Sequence, residues 1–94
     1  MCRGDWRAAK LENIMPSVLV VDDNELARNL IANPLTEVGF SVDTAAGGFE
    51  ALEKFKANHH QMVITDILMA DGEGIDLIRS LLADTPDLPI VAVS

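Results

Sequence analysis

Four short apolar runs, Val18 to Val21 (VLVV), Phe40 to Ala45 (FSVDTA), Met62 to Thr65 (MVIT) and Ile90 to Val93 (IVAV), alternate along the chain with three segments of helical period. That alternation admits few folds. Strands separated by helices of roughly ten to fifteen residues pair in parallel, because a right-handed crossover packs each helix back onto the sheet. The expectation is an α/β protein, a (βα)3β unit built on one parallel sheet.

Between the first two runs, Leu26, Leu30, Ile31, Leu35 and Val38 recur at helical spacing, and Gly39 follows as a stop. Pro34 falls inside this helix, where a proline removes a backbone hydrogen bond and costs about 3 kcal/mol unless the helix kinks or breaks. A second helix after Gly47 and Gly48 carries Ala51, Leu52 and Phe55; a third after Gly74 carries Ile75, Ile78, Leu81 and Leu82. No GK[ST] follows the glycine pair, so it reads as a turn before a helix and not as a phosphate loop. The run IVAV, unbroken behind Pro89, reads as a strand buried on both faces.

With 94 residues the chain holds one small domain, and at 49% hydrophobic it is globular. No apolar stretch is long enough to span a bilayer, and the first fifteen residues mix charge with apolar side chains instead of forming a signal peptide. A cytoplasmic location is expected. The single cysteine, Cys2, has no partner for an internal disulfide or a CxxC site. A net charge of -8 with only seven Lys and Arg argues against a nucleic-acid backbone as partner. Residues 1–14 are slightly basic, so the acidity belongs to the body.

Three acids stand at strand ends. Asp22 and Asp23 directly follow the first strand, and Asp66 directly follows the third. In an open α/β sheet, ligands gather outside the carboxyl ends of the strands. If strands one and three are neighbours, their spacing of about 4.8 Å brings all three acids to one pocket. Two carboxylates at about 4 Å repel by roughly 4 kcal/mol at an effective dielectric of 20, and a hard divalent cation relieves this. An all-oxygen set without Cys or His suits Mg²⁺. Plainer roles exist: one of Asp22, Asp23 and Asn24 serves equally well as the cap of the first helix, and Asp66 as a turn residue.

The stretches VLVVDDNELAR, GGFEAL, VITDILMADGEG and PIVAVS resemble the response-regulator receiver domain of two-component signalling, over about residues 17–94. The resemblance implies a flavodoxin-like sheet, here a truncated (βα)3β with strand order 2-1-3-4, preceded by an extension over residues 1–16. It implies that Asp66 accepts a phosphoryl group from a histidine kinase, a phosphotransfer protein or a small phosphodonor. Asp23 becomes a direct Mg²⁺ ligand, Asp22 a ligand mostly through water, and the backbone carbonyl of Leu68 a further ligand. Ser94 is the hydroxyl that closes on the phosphoryl group, and Gly74 a turn glycine. On this reading the protein is not an enzyme beyond phosphorylating its own acceptor.

The sequence departs from the family pattern in two places. Ala70 stands where the family usually has proline. The resemblance leads to the expectation of a domain without the family's fourth helix, fifth strand and fifth helix, and no lysine in residues 1–94 takes the role of the strand-five lysine. Two expectations arise: no output domain, and a homodimer formed through strand four or the face of the first helix, where apolar surface is left bare. The alternative function is a degenerate receiver that binds partners or dimerises without phosphorylation. A haloacid-dehalogenase-like phosphohydrolase fits poorly, since it requires DxD where this chain has Asp22-Asp23-Asn24. His59 and His60 precede strand three, away from the acids, and are expected in a surface loop.

Overall fold

The computed structural model describes residues 16–69 and 73–93. Strand β1 (Ser17–Val21) is followed by α1 (Glu25–Glu37), β2 (Ser41–Ala45), α2 (Gly48–Asn58), β3 (Met62–Asp66), α3 (Glu73–Asp84) and β4 (Ile90–Val93). The sheet is four-stranded, parallel throughout, in the order β2-β1-β3-β4. This is the flavodoxin-like order. No helix of the described residues is long and apolar enough to cross a membrane.

The centre of the sheet goes to β1 because both of its faces are covered. Val18 and Val20 pack with Ala32, Ile31 and Leu35 of α1, together with Phe40, Val42, Met62 and Ile64. Leu19 and Val21 point the other way, into a cluster with Ala51 and Phe55 of α2, Leu77 and Leu81 of α3, and Val63, Met69 and Leu88. Successive strand residues face opposite sides, so an unbroken aliphatic run is what a doubly covered strand requires. Each fully buried Val or Leu contributes roughly 1.5–3 kcal/mol, which makes β1 the element least tolerant of polar substitution.

The structure differs from the sequence expectation at several elements. Helix α1 runs unbroken through Pro34. The backbone bond lost there would have joined residue 34 to the carbonyl of Leu30, and both residues lie on the exposed side of the helix, where a carbonyl without an intrahelical partner costs least. The apolar stripe of α1 is also narrower than its spacing implies: Leu26 and Leu30 are about 70% exposed, and Ile31, Ala32 and Leu35 make the contact with the sheet.

Strand β4 is not buried on both faces. It pairs with β3 alone among the described strands; Ile90 is half-buried, whereas Val91, Ala92 and Val93 are exposed. An aliphatic run reads alike at the middle and at the edge of a sheet, and only the neighbours distinguish them. Gly74 is not a turn residue but the second residue of α3. The expectations placed on Cys2, on residues 1–15 of the extension, on Ala70 and on Ser94 fall outside the described residues.

His60 is a further correction. His59 is exposed and closes α2 in the left-handed region (φ 50), but His60 is 3% exposed. Its ring stacks on Phe55 at 6.2 Å between centroids, and its Nε2 lies 2.6 Å from Oδ2 of Asp43 in β2. The tight exit from α2 turns the second histidine inward over the core, where Asp43 supplies a polar partner for Nε2 while Nδ1 has none among the described residues.

Candidate functional site

The acids gather where the parallel strands end. The ladder of β1 extends one residue beyond the strand, through the Asp22 N–H to the Ala45 carbonyl at 3.1 Å. The Asp22 carbonyl accepts a hydrogen bond from Arg28 Nη1 at 2.9 Å. Its carboxylate accepts the Asn24 N–H at 2.9 Å, and the residue is 8% exposed. Asn24 takes the cap of α1, its side chain accepting the Ala27 N–H at 3.0 Å. Capping therefore uses neither neighbouring aspartate.

Asp66 closes β3, the strand beside β1, and its Oδ1 accepts the Leu68 N–H at 2.9 Å. The turn role is thus real for this residue, and it coexists with membership of the cluster. One carboxylate oxygen each from Asp22, Asp23 and Asp66 lie within 4.8 Å of one another. The three acids share a cleft with Asn24, Leu26, Ala27, Leu30 and Val93. Among the described residues, no Lys, Arg or His forms an ion pair with any of them. At such separations the repulsion between two carboxylates is roughly 4 kcal/mol at an effective dielectric of 20.

The donor set fits a small hard cation. Mg²⁺ takes oxygen ligands at about 2.0–2.1 Å, which puts two ligand oxygens roughly 3–4 Å apart and within the spacing available here. Leu68 lies in the turn that Asp66 organises and is exposed, next to the cluster in sequence. Ser94 lies outside the described residues. Arg28 escaped the sequence reading because its target is a backbone carbonyl, which leaves no complementary residue type to notice.

A second polar cluster lies on β2 and α2. His60 holds the Asp43 carboxyl below the usual carboxylate range, chiefly through its hydrogen bond and against the opposing effect of burial, with help from Asn58 Nδ2 at 3.0 Å. Glu50 is likewise lowered, first by the Ala46 N–H and then by Lys54, with which it pairs at 3.2 Å.

The sequence profile described as "Response regulator receiver domain" matches residues 18–94. The chain belongs to that family. This receiver domain is 36% identical over 85 residues to the autoinducer 1 sensor kinase/phosphatase LuxN of Vibrio campbellii, covering 90% of this chain and 10% of that protein. It is 38% identical over 79 residues to the C4-dicarboxylate transport transcriptional regulatory protein DctD of Rhizobium meliloti, covering 84% and 17%. The chain spans between 6% and 34% of the length of such curated relatives. Among solved structures it is similar to the chemotaxis protein CheY4 of Vibrio cholerae, with a TM-score of 0.79 at 30% identity over 83% of this chain and 67% of that one. It is also similar to the response regulator TrrA of Thermotoga maritima in complex with Mg²⁺-BeF, with a TM-score of 0.75 at 37% identity over 81% and 66%. The fold and the family place it in two-component signalling.

Proposed function

We propose that this receiver domain accepts a phosphoryl group on Asp66, with Asp22, Asp23, Asp66 and the Leu68 carbonyl holding Mg²⁺ and the Ser94 hydroxyl receiving the phosphoryl oxygens. The observation that carries the reading is the approach of three carboxylates to within 4.8 Å without a cationic partner among the described residues. The Mg²⁺-BeF complex of TrrA supports the choice of ion, and the complex of TrrA with the histidine kinase ThkA supports a histidine kinase or phosphotransfer protein as donor.

A carboxylate oxygen of Asp66 attacks phosphorus as the P–N bond of a phosphohistidine breaks. The imidazole leaves with the electron pair and takes a proton from solvent, and an acyl phosphate remains on Asp66. Bound Mg²⁺ supplies neutralisation of the charge that nucleophile and phosphoryl oxygens bring together. The Leu68 N–H keeps the Asp66 carboxylate in one orientation for in-line approach. The residue is a substrate of its own modification, and no turnover of a released product is implied.

Two further assignments belong to this reading. Residues 1–14 of the N-terminal extension are not needed by the acid cluster, so a chain begun at Met15 retains the metal response. The protein forms a two-fold dimer, supported by the exposed edge of β4 with Val91 and Val93 and by the bare Leu26 and Leu30 of α1.

Intact-mass measurement after incubation with acetyl phosphate and MgCl₂ tests the acceptor. Wild-type protein gains one phosphoryl group and Asp66→Asn gains none. Incorporation that persists in Asp66→Asn moves the nucleophile elsewhere.

A further inference from the structure

Gly74 is buried in the first turn of α3, against the backbone of the residue that carries the site. A Cβ at position 74 would stand 2.4 Å from the carbonyl oxygen of Asp66, 2.7 Å from Cα of Ile67 and 3.0 Å from its carbonyl carbon. All three neighbours are main-chain atoms, which cannot swing aside as the end of a side chain can. Among the described glycines, Gly39 has the positive φ, and Gly74 is not in that class. Glycine is present at 74 for space and not for a left-handed conformation.

The turn that Gly74 abuts is held on its other flank. The Ile67 N–H donates to the Val93 carbonyl of β4 at 3.0 Å, and the Leu68 N–H donates to the Asp66 carboxylate at 2.9 Å. A side chain at 74 therefore has no free direction in which to push. It must shift the Asp66–Ile67 peptide by more than half an ångström or lift the start of α3.

We propose that Gly74 is a positioning residue for Asp66: the N-terminal turn of α3 serves as a stop that sets where the main chain of β3 ends and so where the Asp66 carboxylate stands. The inference rests on reading Asp66 as the phosphoacceptor. A positional error near 1 Å at a reacting group costs on the order of 10²-fold in rate, so Gly74→Ala slows phosphoryl acceptance by at least about tenfold.

The experiment combines two readouts on Gly74→Ala, both at a temperature where circular dichroism shows native helix content. One is the rate of phosphoryl incorporation from acetyl phosphate with MgCl₂. The other, independent of phosphorylation, is NMR of the Ile67 and Leu68 amides and their hydrogen exchange. The expected result is slowed incorporation together with displaced resonances and faster exchange at both amides. Helix propensity alone favours alanine over glycine. A variant that melts higher, keeps wild-type Ile67 and Leu68 amides and accepts phosphate at the wild-type rate would overturn the proposal. If the wild type itself takes up no phosphoryl group, the acceptor reading fails, while the amides still decide whether Gly74 places the Asp66 turn. Should Gly74→Ala be unfolded in buffer, trimethylamine N-oxide restores the compact state for the same measurement. Unperturbed amides there would equally sink the idea.

Discussion

Nε2 of His60 stands 2.6 Å from Oδ2 of Asp43, joining the loop after α2 to the middle of β2 beneath the ring of Phe55. The His60 bond is the main reason the Asp43 carboxyl lies below its ordinary value of 3.8 in the folded protein. A depressed folded-state pKa means that the contribution is fully present above the unfolded value and is lost as pH falls through the folded one. Melting temperature should therefore decline from about pH 5 downward more steeply in the wild type than in Asp43→Asn. Parallel acid limbs for the two proteins would show that this pair does not couple to folding.

The acid cluster predicts opposite responses with and without metal. At a free MgCl₂ concentration ten times Kd, binding to the native state adds about 1.4 kcal/mol, or roughly 5–10 °C in a domain of this size. Asp23→Ala should lose that rise and yet melt no lower than the wild type in EDTA, because it removes one of three mutually repelling charges. An unchanged wild-type curve at millimolar Mg²⁺ would count heavily against the site.

Helix α1 carries one favourable and one unfavourable local feature, and both are open to substitution. Asn24→Ala removes the acceptor for the Ala27 N–H and should cost about 1 kcal/mol. Pro34→Ala, on the exposed side, restores a backbone donor toward Leu30 and should stabilise by about 1–3 kcal/mol. Urea unfolding with an unchanged slope reads both effects. A destabilised Pro34→Ala would mean that the helix is shaped around the proline ring.

Dimerisation through the edge of β4 predicts that Val91→Lys lowers the mass seen by light scattering at micromolar concentration. Val91 is 47% exposed, so the lysine is not forced into a core, and the monomer should remain folded. A wild type that is already monomeric, folded and soluble would remove this proposal.

The alternation of apolar runs with helical segments was sufficient, by itself, to determine the class of fold. Short strands separated by helices have few ways to bury both sets of apolar faces, and the order β2-β1-β3-β4 is one of them. Asp22, Asp23 and Asp66 were legible as a cluster for a related reason: each ends a strand, and parallel strands end on the same side of the sheet. Tertiary structure alone decided which of the chemically equivalent choices was taken. Asn24 and not an aspartate became the cap, since only backbone geometry selects among adjacent acceptors. The same held for burial: His60 turned inward and Leu26 and Leu30 outward, because burial depends on what lies opposite a side chain and not on its own polarity. Gly74 likewise reads as a turn residue in sequence, and its closeness to Asp66 exists only once α3 has been laid against the end of β3.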